Sequence, residues 1–245
     1  MRSVVVLPTY NERDNIEPFL RALRKAAPTT DVLVVDDNSP DGTGELAEAA
    51  GAELGRIDVL HRPAKQGLGS AYREGFARVL ADDYDVVVSM DADFSHDPEQ
   101  VPEFVARIAD GADVVIGSRY VTGGGTTDWP VHRQLLSKWG NAYTRMILGV
   151  GARDCTSGYR AYRATSLAAI DPGSTSAEGY AFLTELVRRM TRDGATVVEV
   201  PIIFRDRTRG KSKMSGRIIV ESMLLVSAWG VLDRWRRLNE RLRRR

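Results

Sequence analysis

Short, valine-rich apolar runs alternate along the first half of the chain with stretches whose apolar positions recur every three or four residues. The runs at residues 3–7, 31–35, 57–61, 85–89 and 113–117 are predicted strands, apolar on both faces as in a buried parallel sheet. Between them, residues 14–27 show helical spacing at Ile16, Phe19, Leu20 and Leu23, and residues 44–54, 69–80 and 98–109 are predicted helices. Asp97, Pro98 and Gln100 form a helix-start signal for the last of these. Strands alternating with helices imply right-handed crossovers, so the expected fold class is α/β with a mainly parallel central sheet.

The second half is less regular. A glycine-rich loop at 122–127 leads through Trp129 and Pro130 to a predicted helix near 133–148. A further helix is predicted at 178–192, and a strand at 196–204 broken by Pro201. Residues 218–232 are apolar for fifteen positions apart from Glu221 and two serines, short of the roughly 20 needed to span a bilayer. Trp229, Trp235 and the arginines at 234, 236, 237, 241 and 243–245 suit a helix lying at an anionic membrane surface. A C-terminal helix docked on the core with a basic tail fits the same pattern, and both readings stay open. With no repeat or low-complexity linker, residues 1–216 are expected to form the main unit and 217–245 an amphipathic basic helix and tail.

Composition changes this picture in two places. The 43% hydrophobic and 27% charged residues of the 245 suit a globular protein with a sizeable core. The net charge of +1 hides an asymmetry: residues 205–245 carry 13 Lys/Arg against 4 Asp/Glu, and the rest 21 against 29. A basic end on an acidic body points to an anionic partner such as a membrane surface, nucleic acid or phosphate, or to a solvated charged helix. The single cysteine, Cys155, rules out an intramolecular disulfide and fits a reducing interior. The first apolar run stops at Pro8, too short for a signal-peptide core.

Ligands of open α/β sheets bind beyond the carboxyl ends of the strands. Here those ends are residues 8–12, 36–43 and 91–95, all rich in carboxylates. Asp91 and Asp93 stand two apart, so in an extended segment both face one side. Such a pair suits Mg²⁺ or Mn²⁺ on a diphosphate, whose charge must be neutralised when it leaves. Asp36-Asp37 at the second strand end fits ribose or base recognition, although Pro40-Asp41-Gly42 is also a turn in its own right. A receiver domain would carry its acidic pair after the first strand, where Pro8-Thr9-Tyr10-Asn11-Glu12 stands instead.

Pro8-Thr9-Tyr10-Asn11-Glu12, the tract Val35-Asp36-Asp37-Asn38-Ser39-Pro40-Asp41-Gly42-Thr43 and Asp91-Ala92-Asp93 together resemble the family 2 glycosyltransferases of GT-A fold. Within them the chain is most similar to the polyprenol-phosphate mannosyltransferases. Gly117-Ser118-Arg119-Tyr120, Thr156-Ser157-Gly158-Tyr159-Arg160 and the basic stretch from Asp206 through Arg207 to Lys213 carry that likeness, which runs from about residue 3 to residue 216. The resemblance implies a Rossmann-like nucleotide-sugar domain that transfers mannose from GDP-mannose to a polyprenyl monophosphate. It places the enzyme peripherally at the cytoplasmic membrane face. Under it, Pro8, Tyr10, Glu12, Val35 and Asp37 line the nucleotide pocket, while Asp91, Ala92 and Asp93 hold the donor and its metal. Arg119, Arg207 and Lys213 gather the phosphates, with Arg133 and Ser137 as further acceptor-phosphate candidates; Asp93, Arg119, Arg207 and Lys213 are the expected catalytic set. Ser95 stands where this branch often has a glutamine metal ligand, so it is the third expected metal contact, with water as its substitute. A separate membrane protein is compatible with this reading as an additional anchor.

The Gln-x-x-Arg-Trp motif of processive family 2 synthases is absent, as is an obvious aspartate base. A sugar hydroxyl needs such a base. A phosphomonoester, with a second pKa of about 6, is already mostly dianionic at neutral pH. In-line attack by it inverts the anomeric centre and gives a β-mannosyl phosphate. The rival readings are UDP-glucose as donor, a nucleotidyltransferase, and a non-enzymatic basic membrane-binding module. Carboxylates at the strand ends would repel nucleic acid, which is therefore not an expected partner.

Overall fold

The computed structural model describes residues 1–206 and 216–243. β1 (Ser3–Thr9), β2 (Asp31–Asp36) and β3 (Ile57–His61) alternate with α1 (Arg13–Ala26), α2 (Thr43–Leu54) and α3 (Leu68–Leu80). β4 (Val86–Ser89) leads through a 3-10 turn at Pro98–Gln100 into α4 (Val101–Ala109) and then β5 (Val114–Ser118). The Asp97 carboxylate caps that turn, accepting from the Glu99 N–H at 3.0 Å. The strands and helices predicted for this half therefore form, with ends displaced by one or two residues.

The second half adds β6 (Gly125–Thr126), α5 (Val131–Leu148), β7 (Arg160–Arg163) and α6 (Ala164–Ala169). It continues with α7 (Gly179–Arg192), β8 (Val197–Pro201), β9 (Ile203–Phe204) and α8 (Gly216–Arg243). The main sheet has the order β3-β2-β1-β4-β7-β5-β8, and β6 pairs with β9 in a small second sheet. β7 runs antiparallel to both β4 and β5, while the other neighbours in the main sheet are parallel. The hydrophobic pattern does not predict β7, because its sequence begins and ends on arginine. Arg160 is fully buried there and donates to the carbonyls of Ser157 (2.8 Å), Cys155 (2.6 Å) and Leu183 (2.5 Å). Those bonds offset the cost of burying its charge.

Successive strand residues point to opposite faces and build two cores. Val4, Val6, Leu33 and Val35 pack with α3 and α7, while Val5, Leu7, Val32 and Val34 pack with α1, α2 and α4. Val226 and Trp229 of α8 belong to the first core. The Tyr143 and Ser227 hydroxyls lie 2.7 Å apart, tying α5 to α8. Gly230 lets the two helices meet, since a Cβ there would stand 2.4 Å from Ile147 Cγ2. From α7, Arg188 grips the buried Asp233 by two bonds of 2.7 and 2.5 Å. Of the two readings of the C-terminal segment, α8 thus takes the docked one along one face. Its other face leaves Leu224, Val231, Leu232 and Trp235 exposed. No helix among the described residues is long and apolar enough to cross a membrane.

Removing one partner of a buried ion pair strands the other charge. Asp233→Ala is therefore expected to cost about 3–5 kcal/mol in denaturant unfolding. A loss below about 1 kcal/mol, the scale of an exposed pair, would show that the α7–α8 latch is idle.

Candidate active site

Three strand ends open the site, and each turns through a left-handed residue: Asn11 (φ 57°) after β1, Asn38 (φ 57°) after β2 and Phe94 (φ 61°) after β4. Asparagine tolerates this region, whereas a bulky residue there is strained. The Phe94 ring packs edge-on against Phe19 of α1, centroids 5.2 Å apart. Cross-links set the first two turns. The Asn11 N–H donates to Ser39 Oγ (3.1 Å) and the Glu12 N–H to Thr43 Oγ1 (2.9 Å). Asp36 accepts from Thr9 Oγ1 (3.1 Å) and from the Ser39 N–H (2.9 Å) and Oγ (2.5 Å), so it is the structural member of the Asp36-Asp37 pair. Asp37 is ion-paired with buried Arg62, which also binds Glu74 at 2.8 Å and Ser70 Oγ at 2.5 Å.

A cavity of about 410 Å³ lies over these ends. Pro8, Tyr10, Glu12 and Asp37 line one end, Asp91, Ala92 and Asp93 the middle, and Arg119, Arg133 and Ser137 the other. Ten of the expected site residues are thus gathered on one wall system. Lys65 Nζ sits 3.6 Å above the Tyr10 ring, and Glu12 accepts from Asn15 Nδ2 at 2.9 Å. Val35 requires a correction. Strand alternation sends its side chain into the core opposite Gly75, and it does not line the cavity. Ser95 is buried and does not line the cavity, and its Oγ has no hydrogen-bond partner among the described residues. Arg207 and Lys213 lie outside the described residues.

The donor set at Asp91 and Asp93 suits a hard cation. Both carboxylates line the same cavity, and Asp93 is buried with its Oδ1 accepting from the Ser95 N–H at 3.0 Å. No third acidic, histidine or cysteine ligand completes a cluster among the described residues. A cation here would take its remaining oxygens from ligand and water, as Mg²⁺ commonly does. The nearby His96 Nδ1 is committed to the Asp91 N–H at 3.1 Å. Its ring stacks on Tyr159 (5.1 Å) and meets Phe204 edge-on (5.7 Å).

At the cationic end, Arg119 Nε and Nη2 each donate to buried Asp154 at 2.7 Å. Burial pushes the Asp154 carboxyl up, but the Arg119 charge and hydrogen bonds outweigh it and hold the group below its ordinary value. Arg133 donates to Asp206 at 2.9 Å and lies 4.0 Å over the Trp129 ring. Ser137 Oγ accepts from the Tyr120 hydroxyl at 2.6 Å. Beyond them the wall is Leu136, Gly140 and Thr144 of α5 with Ser222, Met223 and Val226 of α8. Outside, α5 exposes Val131, Leu135, Trp139 and Met146 beside the apolar face of α8. Sequence reasoning missed the apolar face of α5, along with Asp154, Arg62, His96, Trp129 and Phe204. Only Asp154 carried a signal, two positions before the Thr156–Arg160 motif.

Residues 4–171 match the model of glycosyl transferase family 2. The chain belongs to that family, and it is a glycosyltransferase. It is 48% identical over 242 residues to an undecaprenyl-phosphate mannosyltransferase of Micrococcus luteus, covering 99% of both chains. It is also 48% identical over 234 residues to a polyprenol monophosphomannose synthase of Mycolicibacterium smegmatis, covering 95% of this chain and 88% of that one. Glucosyl-3-phosphoglycerate synthase from Mycobacterium tuberculosis, solved with phosphoglyceric acid, superposes with a TM-score of 0.70 at 22% identity. That match covers 93% of this chain and 80% of the other, and it establishes the shared GT-A fold.

Since Asp154 is held below the ordinary aspartate value of about 3.9, its stabilisation is complete above that pH. The stabilisation is lost as the pH falls through the lower folded value. Asp154→Asn should therefore flatten the acid limb of the stability profile below about pH 4. Superimposable acid limbs for the two proteins would show that the pair carries no such linkage.

Proposed function

We propose that the protein transfers mannose from GDP-mannose to a polyprenyl monophosphate, with inversion and with Mg²⁺ or Mn²⁺ held by Asp91 and Asp93. The observation that carries this is one cavity joining a carboxylate end, a cationic end and a partly apolar wall between α5 and α8. The names of the Micrococcus and Mycolicibacterium relatives supply the sugar and the acceptor class.

In this reading Tyr10, Glu12 and Asp37 surround the nucleoside, with Arg62 fixing the Asp37 carboxylate. A bound divalent cation supplies charge neutralisation to the departing diphosphate. The acceptor phosphate arrives already dianionic, so the protein orients it and removes no proton. Arg119, Arg133 and Ser137 hold that phosphate, joined by Arg207 and Lys213 on the strength of the family resemblance. The isoprenoid chain leaves along the wall formed by Leu136, Gly140, Met223 and Val226. The exposed apolar faces of α5 and α8, flanked by exposed Lys138, Arg145, Arg234 and Arg236, rest on an anionic membrane at its cytoplasmic side.

Purified protein with labelled GDP-mannose, polyprenyl phosphate and detergent should form labelled lipid, which EDTA abolishes and Mg²⁺ or Mn²⁺ restores. Asp93→Ala should lose the product. No labelled lipid from GDP-mannose or UDP-glucose would sink the reading, and product from UDP-glucose alone would change the donor. Full activity in the Asp93 variant would remove the metal role.

Leu135→Glu and Trp139→Glu should weaken flotation with phosphatidylglycerol vesicles without altering the folded protein's thermal stability. Undiminished flotation would take the α5 face out of the membrane contact.

A further inference from the structure

We propose that Asp154 is a positioning residue for the transfer reaction: it fixes the plane of the Arg119 guanidinium and the turn beside it, so that Arg119 meets the acceptor phosphate with one preset edge. This rests on the reading of an anionic acceptor given above.

Arg119 directly follows β5, and an unconstrained arginine samples many rotamers. Asp154, fully buried, removes that freedom at three points. It takes Nε and Nη2 at 2.7 Å each and the Arg119 main-chain N–H at 3.1 Å. The bidentate edge of the guanidinium is therefore committed to protein. A phosphate reaching Arg119 in the cavity meets the edge turned away from Asp154, which rules out a two-pronged grip through Nε and Nη2.

The same carboxylate shapes the cavity wall. Asp154 Oδ1 accepts from the N–H groups of Thr156 (3.3 Å) and Ser157 (3.1 Å), and both residues line the cavity. Thr156 Oγ1 accepts from Arg119 Nη2 at 2.8 Å and from Asn141 Nδ2 of α5 at 3.1 Å. Asn141 Oδ1 in turn accepts from the Cys155 N–H at 2.8 Å. From behind, Glu199 of β8 accepts from the N–H groups of Arg153 (2.8 Å) and Asp154 (3.0 Å). Asp154 is thus the node joining β5, β8, α5 and the turn before β7.

A second consequence concerns charge. With a carboxylate at 2.7 Å, Arg119 contributes little net charge at a distance and acts by direction. A lysine at 119 keeps the charge but loses the planar fork, so it cannot take its place.

The test measures steady-state transfer to polyprenyl phosphate, GDP-mannose binding by titration, and thermal unfolding of each variant. Asp154→Asn should lower kcat/KM for the acceptor by about ten- to a hundredfold while donor affinity stays within twofold. The double variant with Arg119→Lys should be no worse than Arg119→Lys alone, because both changes break one unit. If Asp154→Asn does not fold, Thr156→Val carries the test and should raise the acceptor KM several-fold with donor binding intact. Additive losses, or acceptor kinetics within twofold of wild type while Arg119→Lys is impaired, would overturn the positioning role alone. A wild-type enzyme that makes no lipid-linked sugar fails at the earlier reading and takes this one with it.

Discussion

The buried guanidinium of Arg160 is the tie on which the second half of the molecule depends. It stands in a strand inserted antiparallel into an otherwise parallel sheet, and it binds three main-chain carbonyls. Two belong to the turn at 155–157 and one to α7, so one side chain sets strand, turn and helix relative to each other. Its charge also helps hold Asp154 ionised from the core side, while Arg119 does so from the cavity side. The arrangement of the cationic end is therefore a consequence of how the sheet closes around β7.

Several charged groups of the cavity are paired within the protein. Asp37 faces Arg62, Arg119 faces Asp154 and Arg133 faces Asp206. Burying unpaired ions is expensive, and pairing them offsets that cost. Recognition by such groups depends on geometry more than on net charge. The carboxylate pair at Asp91 and Asp93 is built differently, with two like charges on one short turn. The Ser95 N–H supports Asp93, and the spacing of the two residues suits a multivalent cation.

The first half of the fold was legible because each of its strands is a valine-rich run between turn residues and each helix shows a clean apolar stripe. β7 was not, since a strand reading Arg-Ala-Tyr-Arg is stabilised by partners as far away as Leu183. β6 was hidden for a related reason: a two-residue strand has no period, and its pairing with β9 at Gly125 and Ile203 is wholly tertiary. The carboxylates of the site could be read from their place at strand ends. Their supports could not, because Arg62 meets Asp37 across 25 positions and Asp154 meets Arg119 across 35. Val35 shows the opposite error: its motif sits at the site, but its side chain packs into the core. His96, which carries no sequence signal of a role, is a buried ring that holds the Asp91 main chain.

The way α8 is held gives it the mechanics of a beam on a fulcrum. Its 28 residues make a rod about 42 Å long. The firm attachments at Val226, Trp229 and Asp233 occupy roughly 10 Å of that length. Ser222 and Met223, in the cavity wall, lie on one side of the fulcrum; Trp235 and Arg236 lie on the other. A tilt of about 10° about Trp229 displaces Ser222, about 10 Å away along the helix, by roughly 2 Å. A rigid tilt about those attachments would move the two arms in opposite directions, the inner one carrying Ser222 and Met223 of the cavity wall.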